Sequence, residues 1–185
     1  MTGEGGEFEL ECIEERAMPP ELDASIRGLL CECFPPDVEA FSRSRHWHDC
    51  APAWTLIFRE SGRVLGHVGV VVRTISWGRQ QVQVAGIQSL AVCPHLRGSG
   101  LAQALMRRAA AEAGWRGVRF GFLFCGPGLE RFYSRLGWRR TDAAVTMADE
   151  NGRTVPMPAK NVAMALALAD EPLPQGDIDL NGRDW

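Results

Sequence analysis

The sequence predicts one α/β (α+β) domain, and two observations carry that prediction. Three apolar strand patterns between residues 54 and 92 are separated by turn sequences at 60–63 and 77–79, which indicates an antiparallel meander. A strand, a glycine-containing loop and a helix-forming run then follow one another directly from Gln88 to Ala113. The 185 residues, 45% of them apolar, suffice for a single domain with a sizeable core.

The first half of the chain is predicted to contain an edge strand, a helix, a short helix or loop, and the meander. Residues 8–14 alternate apolar and acidic side chains, as a half-buried strand does. Pro19 and Pro20 begin a helix, because proline suits the first turn, where its missing N–H would be unpaired anyway. The elements that follow are a helix or loop at 37–50 and strands at 54–59, 64–75 and 81–92.

The second half is predicted to alternate helices and strands before a coil tail. Apolar residues at four-residue spacing place a helix from Ser99 to Ala113. Next come a strand at 118–124, a short helix at 129–136 and strands at 138–147 and 161–168. We therefore assign one domain to residues 1–168 and a Pro-, Gly- and Asp-rich tail to residues 169–185, which we expect to dock at a substrate cleft.

Composition points to a reduced cytoplasmic protein with a strong separation of charge. The six cysteines form no C-x-x-C pair, and neither a signal peptide nor a membrane span is recognisable. Residues 97–140 hold nine arginines and two glutamates, a balance of +7, whereas the remainder has a balance of −10. The basic segment favours an anionic ligand and the acidic remainder a cationic one, while solvated helix faces would give the same counts. A basic stripe interleaved with aromatic residues, as in nucleic-acid-binding proteins, is not evident.

The loop between the strand ending at Val92 and the following helix has the pattern of an anion site. Gly98 and Gly100 let a ligand approach the backbone closely, and the first turn of a helix offers unpaired N–H groups. The segment has no Gly-Lys-Ser/Thr of a Walker loop and no third glycine of a dinucleotide fingerprint. A phosphorylated cofactor of another class is therefore predicted.

Two motifs resemble the GNAT superfamily of N-acetyltransferases. Arg97-x-x-Gly100-x-Ala102 is similar to its Gln/Arg-x-x-Gly-x-Gly/Ala signature, and the helix end at 131–138 is similar to its FYxxLGF motif. The resemblance implies a mixed sheet of about seven strands with flanking helices, splayed between the fourth and fifth strands beside a bulge at Ser89. It also implies that acetyl-coenzyme A binds, its pantetheine arm on Leu90, Ala91 and Val92 and its pyrophosphate on the amides of Arg97, Gly98, Ser99, Gly100, Leu101 and Ala102.

The resemblance and elementary chemistry suggest an acid and a base for aminolysis of a thioester. Tyr133, the only tyrosine, either protonates the leaving sulfur or is a half-buried helix residue. Gln88 stands where many family members have glutamate, and an amide cannot accept a proton. His67 is then a candidate base, directly or through water; a strand histidine is more often a packing residue, and proton loss to bulk water serves equally well.

Two other groups of residues invite alternative chemistry. The run His46-Trp47-His48-Asp49-Cys50 contains metal-ligating side chains, but ligands so close in sequence rarely form a tetrahedral site, so no metal is predicted. Cys125 ends a strand near the expected thioester and is a conceivable nucleophile. No base is visible beside it in the sequence, and the resemblance favours direct transfer.

Two local resemblances suggest the acceptor. Residues 66–73 and 179–185 are similar to parts of the aminoglycoside 2′-N-acetyltransferases, and residues 41–102 to the nodulation acyltransferases, which act on amines of sugars. We predict N-acetylation of a small-molecule amine, with no nucleic acid or membrane partner; a homodimer is compatible with the sequence. The alternatives are an acyl-CoA-binding sensor without turnover and an acyl-carrier-dependent acyltransferase. Predicted acceptor-binding residues are Gln88, Trp47, Asp184 and Trp185.

Overall fold

The computed structural model describes residues 8–185, and the acidic start of the chain at 1–7 lies outside the described residues. Its helices are α1 (Pro20–Cys33), α2 (Val38–Arg43), α3 (Leu101–Trp115) and α4 (Glu130–Ser134). Its strands are β1 (Phe8–Glu14), β2 (Trp54–Glu60), β3 (Arg63–Trp77), β4 (Gln80–Val92), β5 (Phe120–Cys125), β6 (Arg139–Arg140), β7 (Val145–Ala148), β8 (Thr154–Pro156), β9 (Val162–Ala167) and β10 (Ile178–Asp179).

The described strands form one mixed sheet. β1 to β4 are consecutive antiparallel neighbours, which confirms the predicted meander. β5 pairs in parallel with β4 after the α3 crossover, and β9 then pairs with β5 in antiparallel fashion. β3 is 15 residues long, so its first half pairs with β2 while its end pairs with β10 of the tail.

Helices cover both faces of this sheet. Because neighbouring residues of a strand point to opposite faces, Leu56 packs in the core cluster that contains α3, whereas Ile57 packs in the cluster that contains α1. The predicted four-residue stripe of α3 is buried, as expected, at Leu101, Leu105, Ala109 and Ala113. No helix within residues 8–185 is long and apolar enough to cross a membrane.

The sequence prediction of one strand over residues 138–147 is wrong. β6 pairs with β9, but β7 pairs with β10 and β8, in another part of the sheet. The chain must leave one partner to reach the other, and residues 141–144 make that passage. The tail, expected to be coil, contributes β10 between β3 and β7.

Candidate active site

The two central strands of the sheet part at the end where the glycine loop begins. β4 and β5 pair from Val84 with Phe120 to Ile87 with Leu123, and within the described chain no further pair follows. Beyond that point β4 keeps only β3 as its partner, and β5 keeps only β9. The facing edges of both strands are therefore free to pair with a ligand.

A bulge in β4 accompanies this separation. Two residues of β4, Ser89 and Leu90, stand opposite the single residue Val68 of β3. Ser89 has a φ of 52°, in the left-handed region that residues other than glycine seldom occupy. An extra residue of this kind bends the strand that carries it. The predicted bulge at Ser89 is present in the structure.

The loop after β4 presents backbone amides to solvent. Gly98 and Gly100 have φ values of 85° and 92°, and a Cβ added at either position would meet no atom within 4 Å. Neither amide donates to a backbone carbonyl among residues 8–185, and the first-turn amides of α3 have no intrahelical acceptor. Free amides at the positive end of a helix, here one of 15 residues, are a common arrangement for binding an anion.

Two of the amides predicted for this site are already used within the loop. The Arg97 amide donates to the Pro94 carbonyl at 3.2 Å, and the Ser99 amide donates to the Leu96 carbonyl at 3.2 Å. These bonds hold the loop in its conformation and leave the amides at 98 and 100–102 for a ligand. The Arg97 side chain is exposed beside them.

A mostly apolar pocket of about 390 Å³ lies where the strands part. One wall is the end of β4, and the opposite wall is α4 with the turn before it. Cys33, which the sequence did not single out, adds a third wall from α1, and its thiol donates to the Val92 carbonyl at 3.3 Å. The lining residues are Cys33, Phe34, Leu90, Ala91, Val92, Arg97, Ala102, Leu129, Phe132 and Tyr133.

Tyr133 lies at the boundary between this pocket and a second one. It is only 6% exposed, and its phenol oxygen has no hydrogen-bond partner in the described part of the chain. Burial, and after it the neighbouring Cys125 thiol, holds the pKa of Tyr133 well above its ordinary range. The side chain therefore stays a phenol that has a proton to donate.

Cys125 is buried on the same side of the cleft. Its thiol contacts the sulfur of Met164 at 3.8 Å. Burial, and next the carboxylate of Glu130, raises the pKa of the Cys125 thiol. Since the thiolate is the nucleophilic form, these surroundings disfavour a covalent acyl-cysteine route.

The second pocket has a volume of about 200 Å³ and extends the first toward the tail. It is rich in aromatic side chains, and no Asp or Glu is among its lining residues. Trp47, Gln88 and Trp185, three of the four predicted acceptor-binding residues, lie here together. The aromatic members are Phe34, Trp47, Phe124, Tyr133 and Trp185.

Gln88 fixes the loop that carries Trp47. Its side-chain amide donates to the Cys50 carbonyl at 2.7 Å and accepts from the Trp47 backbone N–H at 3.1 Å. The residue is 4% exposed, so both halves of the amide are used by the protein. A carboxylate could accept from Trp47 but could not donate to Cys50, which accounts physically for an amide at this position.

Replacing Gln88 with glutamate is expected to destabilise the protein by about 3 kcal/mol at a pH of about 8, because a buried carboxylate would face the Cys50 carbonyl. Protonation restores a donor, so the deficit should shrink at a pH of about 5. Urea unfolding of Gln88→Glu and of Gln83→Glu, an exposed position on the same strand, measures both effects. Equal deficits in the two variants at both pH values would show that Gln88 does not hold the loop.

The tail ends against β4 in the second pocket. Trp185 is 6% exposed and lies on Gly86, where any Cβ would collide with the indole. Arg73 lies 5.2 Å from the centroid of that indole and donates to the Arg183 carbonyl and, at 3.0 Å, to the Cys50 sulfur. Arg73 thus joins the tail to the loop that Gln88 fixes, a role that strand alternation alone does not reveal.

Asp184 does not line the pocket, unlike the other three predicted acceptor residues. Its carboxylate lies 3.6 Å from Nε2 of His48, and the Arg183 guanidinium lies 2.9 Å from Nδ1 of the same ring. These contacts attach the tail to the loop at 46–50. The structure therefore places the Asp184 carboxylate beside His48 rather than among the residues that line the pocket.

Comparison with known proteins identifies the family. The sequence profile of the acetyltransferase (GNAT) domain matches residues 17–141, more than half of the chain. The chain belongs to this family. Nodulation protein A of Bradyrhizobium elkanii is 32% identical over 106 residues, which are 56% of this chain and 49% of that protein. The chain thus spans about half the length of this curated relative.

Solved GNAT structures share the fold. A GNAT N-acetyltransferase of Escherichia coli, YhbS, solved in complex with CoA, has a TM-score of 0.68 at 19% identity and covers 97% of this chain and 93% of its own. A Brucella melitensis GNAT acetyltransferase, solved with acetyl-CoA, has a TM-score of 0.59 at 22% identity, and the match covers 92% of this chain and 94% of the Brucella chain. The predicted α/β (α+β) GNAT fold, a mixed sheet with flanking helices, is confirmed.

His67, the candidate base of this GNAT domain, lies within the sheet and lines neither pocket. It is 1% exposed, and its Nδ1 lies 2.8 Å from the Ser89 carbonyl, so the neutral ring carries its proton on Nδ1. Burial lowers the pKa of His67 to about 4, against a smaller opposite effect of the bond to Ser89. Such a weakly basic ring stabilises the bulge in its neutral form.

The depressed pKa of His67 predicts a loss of stability in weak acid. His67 binds a proton near pH 6.5 in the unfolded chain but only near pH 4 in the folded chain. Its contribution to the free energy of unfolding is therefore fully present above a pH of about 6.5 and falls by roughly 1.4 kcal/mol per pH unit from there down to about pH 4. His67→Asn keeps a donor for Ser89 but does not titrate. In urea unfolding between those pH values, the gap between wild type and His67→Asn should narrow as the pH falls; a constant gap would contradict the assignment.

The histidine-rich loop at 46–50 is part of the pocket wall. Trp47 packs edge-on against Phe41 of α2, with ring centroids 4.6 Å apart. Among residues 8–185 no group of three or more His, Cys, Asp or Glu side chains is arranged to hold a metal ion. All six cysteines lie within residues 8–185 and are free thiols.

Proposed function

We propose that this GNAT domain transfers an acetyl group from acetyl-coenzyme A directly to the primary amine of a small molecule. The observation that carries the proposal is the opening between β4 and β5, which begins at the Ser89 bulge and leads to the free amides at Gly98 and Gly100. An extended pantetheine arm suits the first feature and a pyrophosphate suits the second. The complexes of the E. coli and Brucella melitensis neighbours with CoA and acetyl-CoA support this assignment.

The residues at the opening divide the chemistry between them. Leu90, Ala91 and Val92 supply backbone groups that hold the arm, and an amide of this edge polarises the thioester oxygen. Tyr133 donates its phenolic proton to the leaving sulfur as the C–S bond breaks, and the proton that the nitrogen sheds as it becomes an amide restores the phenol through water. Because no Asp or Glu side chain lines either pocket and His67 is buried, we propose that the acceptor loses its ammonium proton to water before it attacks.

The second pocket suits an amine attached to a ring or a short apolar chain. Its aromatic walls, Trp47 and Trp185 among them, favour the CH groups and the residual positive charge of such an acceptor. The acidic balance of the chain outside residues 97–140 attracts cations toward the protein. We therefore propose an amino sugar or a polyamine-like compound as the acceptor class.

The test is release of free CoA thiol from acetyl-CoA in the presence of panels of amino sugars, aminoglycosides, polyamines and peptides. Turnover with one of the small amines, together with the acetylated product by mass spectrometry, is the expected result. Tight acetyl-CoA binding without turnover on any amine would instead indicate an acyl-CoA sensor. A strong preference for peptide amines would contradict the proposed acceptor class.

A further inference from the structure

Ser89 carries a buried hydroxyl that the folded chain does not use. The residue is 7% exposed, and its Oγ has no hydrogen-bond partner in the part of the chain that the structure describes. Its backbone is also held in the left-handed region, at a φ of 52°. Unpaired buried polar groups and strained backbone both cost stability, and both are typical of functional positions.

The position of this residue in the cleft wall suggests a role for its hydroxyl. Ser89 lines the second pocket together with Cys125 and Tyr133, so that a hydroxyl-bearing residue comes from each side of the strand separation, Ser89 from β4 and Tyr133 from α4. The Ser89 carbonyl lies 2.8 Å from Nδ1 of His67, and this bond anchors the bulge. The bulge thus holds Ser89 in the pocket wall.

Of the other polar side chains of this pocket wall, Gln88 and Cys125 are already engaged, the unpaired Nε1 of Trp185 can only donate, and the Tyr133 phenol is assigned to the leaving sulfur. Both halves of the Gln88 amide bind the loop at 47–50. The Cys125 thiol contacts Met164. A primary amine that attacks with its lone pair has two N–H bonds to place in a buried site, and each needs an acceptor. The Ser89 oxygen has its lone pairs free.

We propose that Ser89 Oγ accepts a hydrogen bond from the N–H of the acceptor amine and thereby directs the nitrogen lone pair toward the thioester carbon. This role rests on the proposed N-acetyltransferase function. The serine remains neutral throughout, so it orients the nucleophile without taking up its proton. Ser89 is therefore assigned as a catalytic residue that contacts the acceptor.

The test compares Ser89→Ala, Ser89→Gly and Ser134→Ala, the last an exposed serine next to Tyr133. Both Ser89 variants should lower kcat/KM for the acceptor about tenfold, the effect of one lost hydrogen bond in a buried site. Their Kd for acetyl-CoA should stay within about twofold of wild type. Their melting temperature should be unchanged or higher, because the unpaired hydroxyl is gone, and Ser89→Gly should also relieve the strain.

The possible outcomes separate this inference from the proposed function. Unchanged kcat/KM in both Ser89 variants would overturn the assignment while leaving acetyl transfer intact. A raised Kd for acetyl-CoA with an unaltered acceptor KM would show that the hydroxyl serves the cofactor instead. A wild-type protein inactive toward every amine would overturn the proposed function and this inference together.

Discussion

Replacing Gly100 with valine is expected to raise the Kd for acetyl-CoA at least about tenfold. Gly100 precedes α3 with a φ of 92°, and a Cβ there would meet no atom within 4 Å. The effect therefore comes from the backbone, because a β-branched residue does not hold the left-handed region. Once the residue leaves that region, the free amides at 98 and 100–102 no longer converge on one anion. Equilibrium titration with acetyl-CoA measures the change.

Gly117 provides a matched control. It follows α3 at its other end, has a φ of 80° and likewise has open space around its Cβ position. Valine in the left-handed region costs about 1–2 kcal/mol of stability, so Gly117→Val and Gly100→Val should lower the free energy of unfolding by similar amounts. Gly117→Val should leave the Kd for acetyl-CoA unaltered. Arg97→Ala should weaken binding by only about threefold, since an exposed side chain contributes little. Equal effects of the two valine variants on the Kd would show that the loop is not the anion site.

The glycine loop and its neighbours were predictable because their signals are local. The run from Gln88 to Ala102 contains the strand, the left-handed glycines and the start of α3 in one uninterrupted segment, and Ser89 falls at the bulge within it. Tyr133 follows from a motif of the same kind. Backbone conformations of this sort are set by residues next to one another, so the sequence contains the evidence in readable form.

The second pocket was predicted less completely because long-range contacts build it. Two contacts hold the tail so that Trp185 lies on β4: β10 pairs with β3, and Arg73 bonds to the Arg183 carbonyl. Neither contact produces a periodic pattern in the sequence. The fate of His67 also depends on distant partners. Alternation along β3 places it on one face of the sheet, but its pKa depends first on burial in the folded chain and then on Ser89 and Arg45, each about 22 residues away in sequence.

Tyr133→Phe is expected to lower kcat about 100-fold or more, because the leaving thiolate would have to be expelled without a proton donor. The substitution removes only the hydroxyl of Tyr133, which makes no hydrogen bond within residues 8–185. Binding of acetyl-CoA and stability should therefore stay near wild type. Steady-state kinetics with the best acceptor, combined with thermal unfolding, separates a chemical defect from a structural one.

The alternative route through a covalent acyl-cysteine is tested by Cys125→Ala in the same assay. Burial and Glu130 raise the pKa of Cys125, so the thiol is a poor nucleophile and its loss should cost no more than about threefold in kcat. Burial also raises the pKa of Tyr133, so this donor stays protonated as the pH increases toward 10. Direct transfer with Tyr133 as the acid thus requires a large loss in Tyr133→Phe and a small one in Cys125→Ala. The reverse pattern would assign the chemistry to the cysteine.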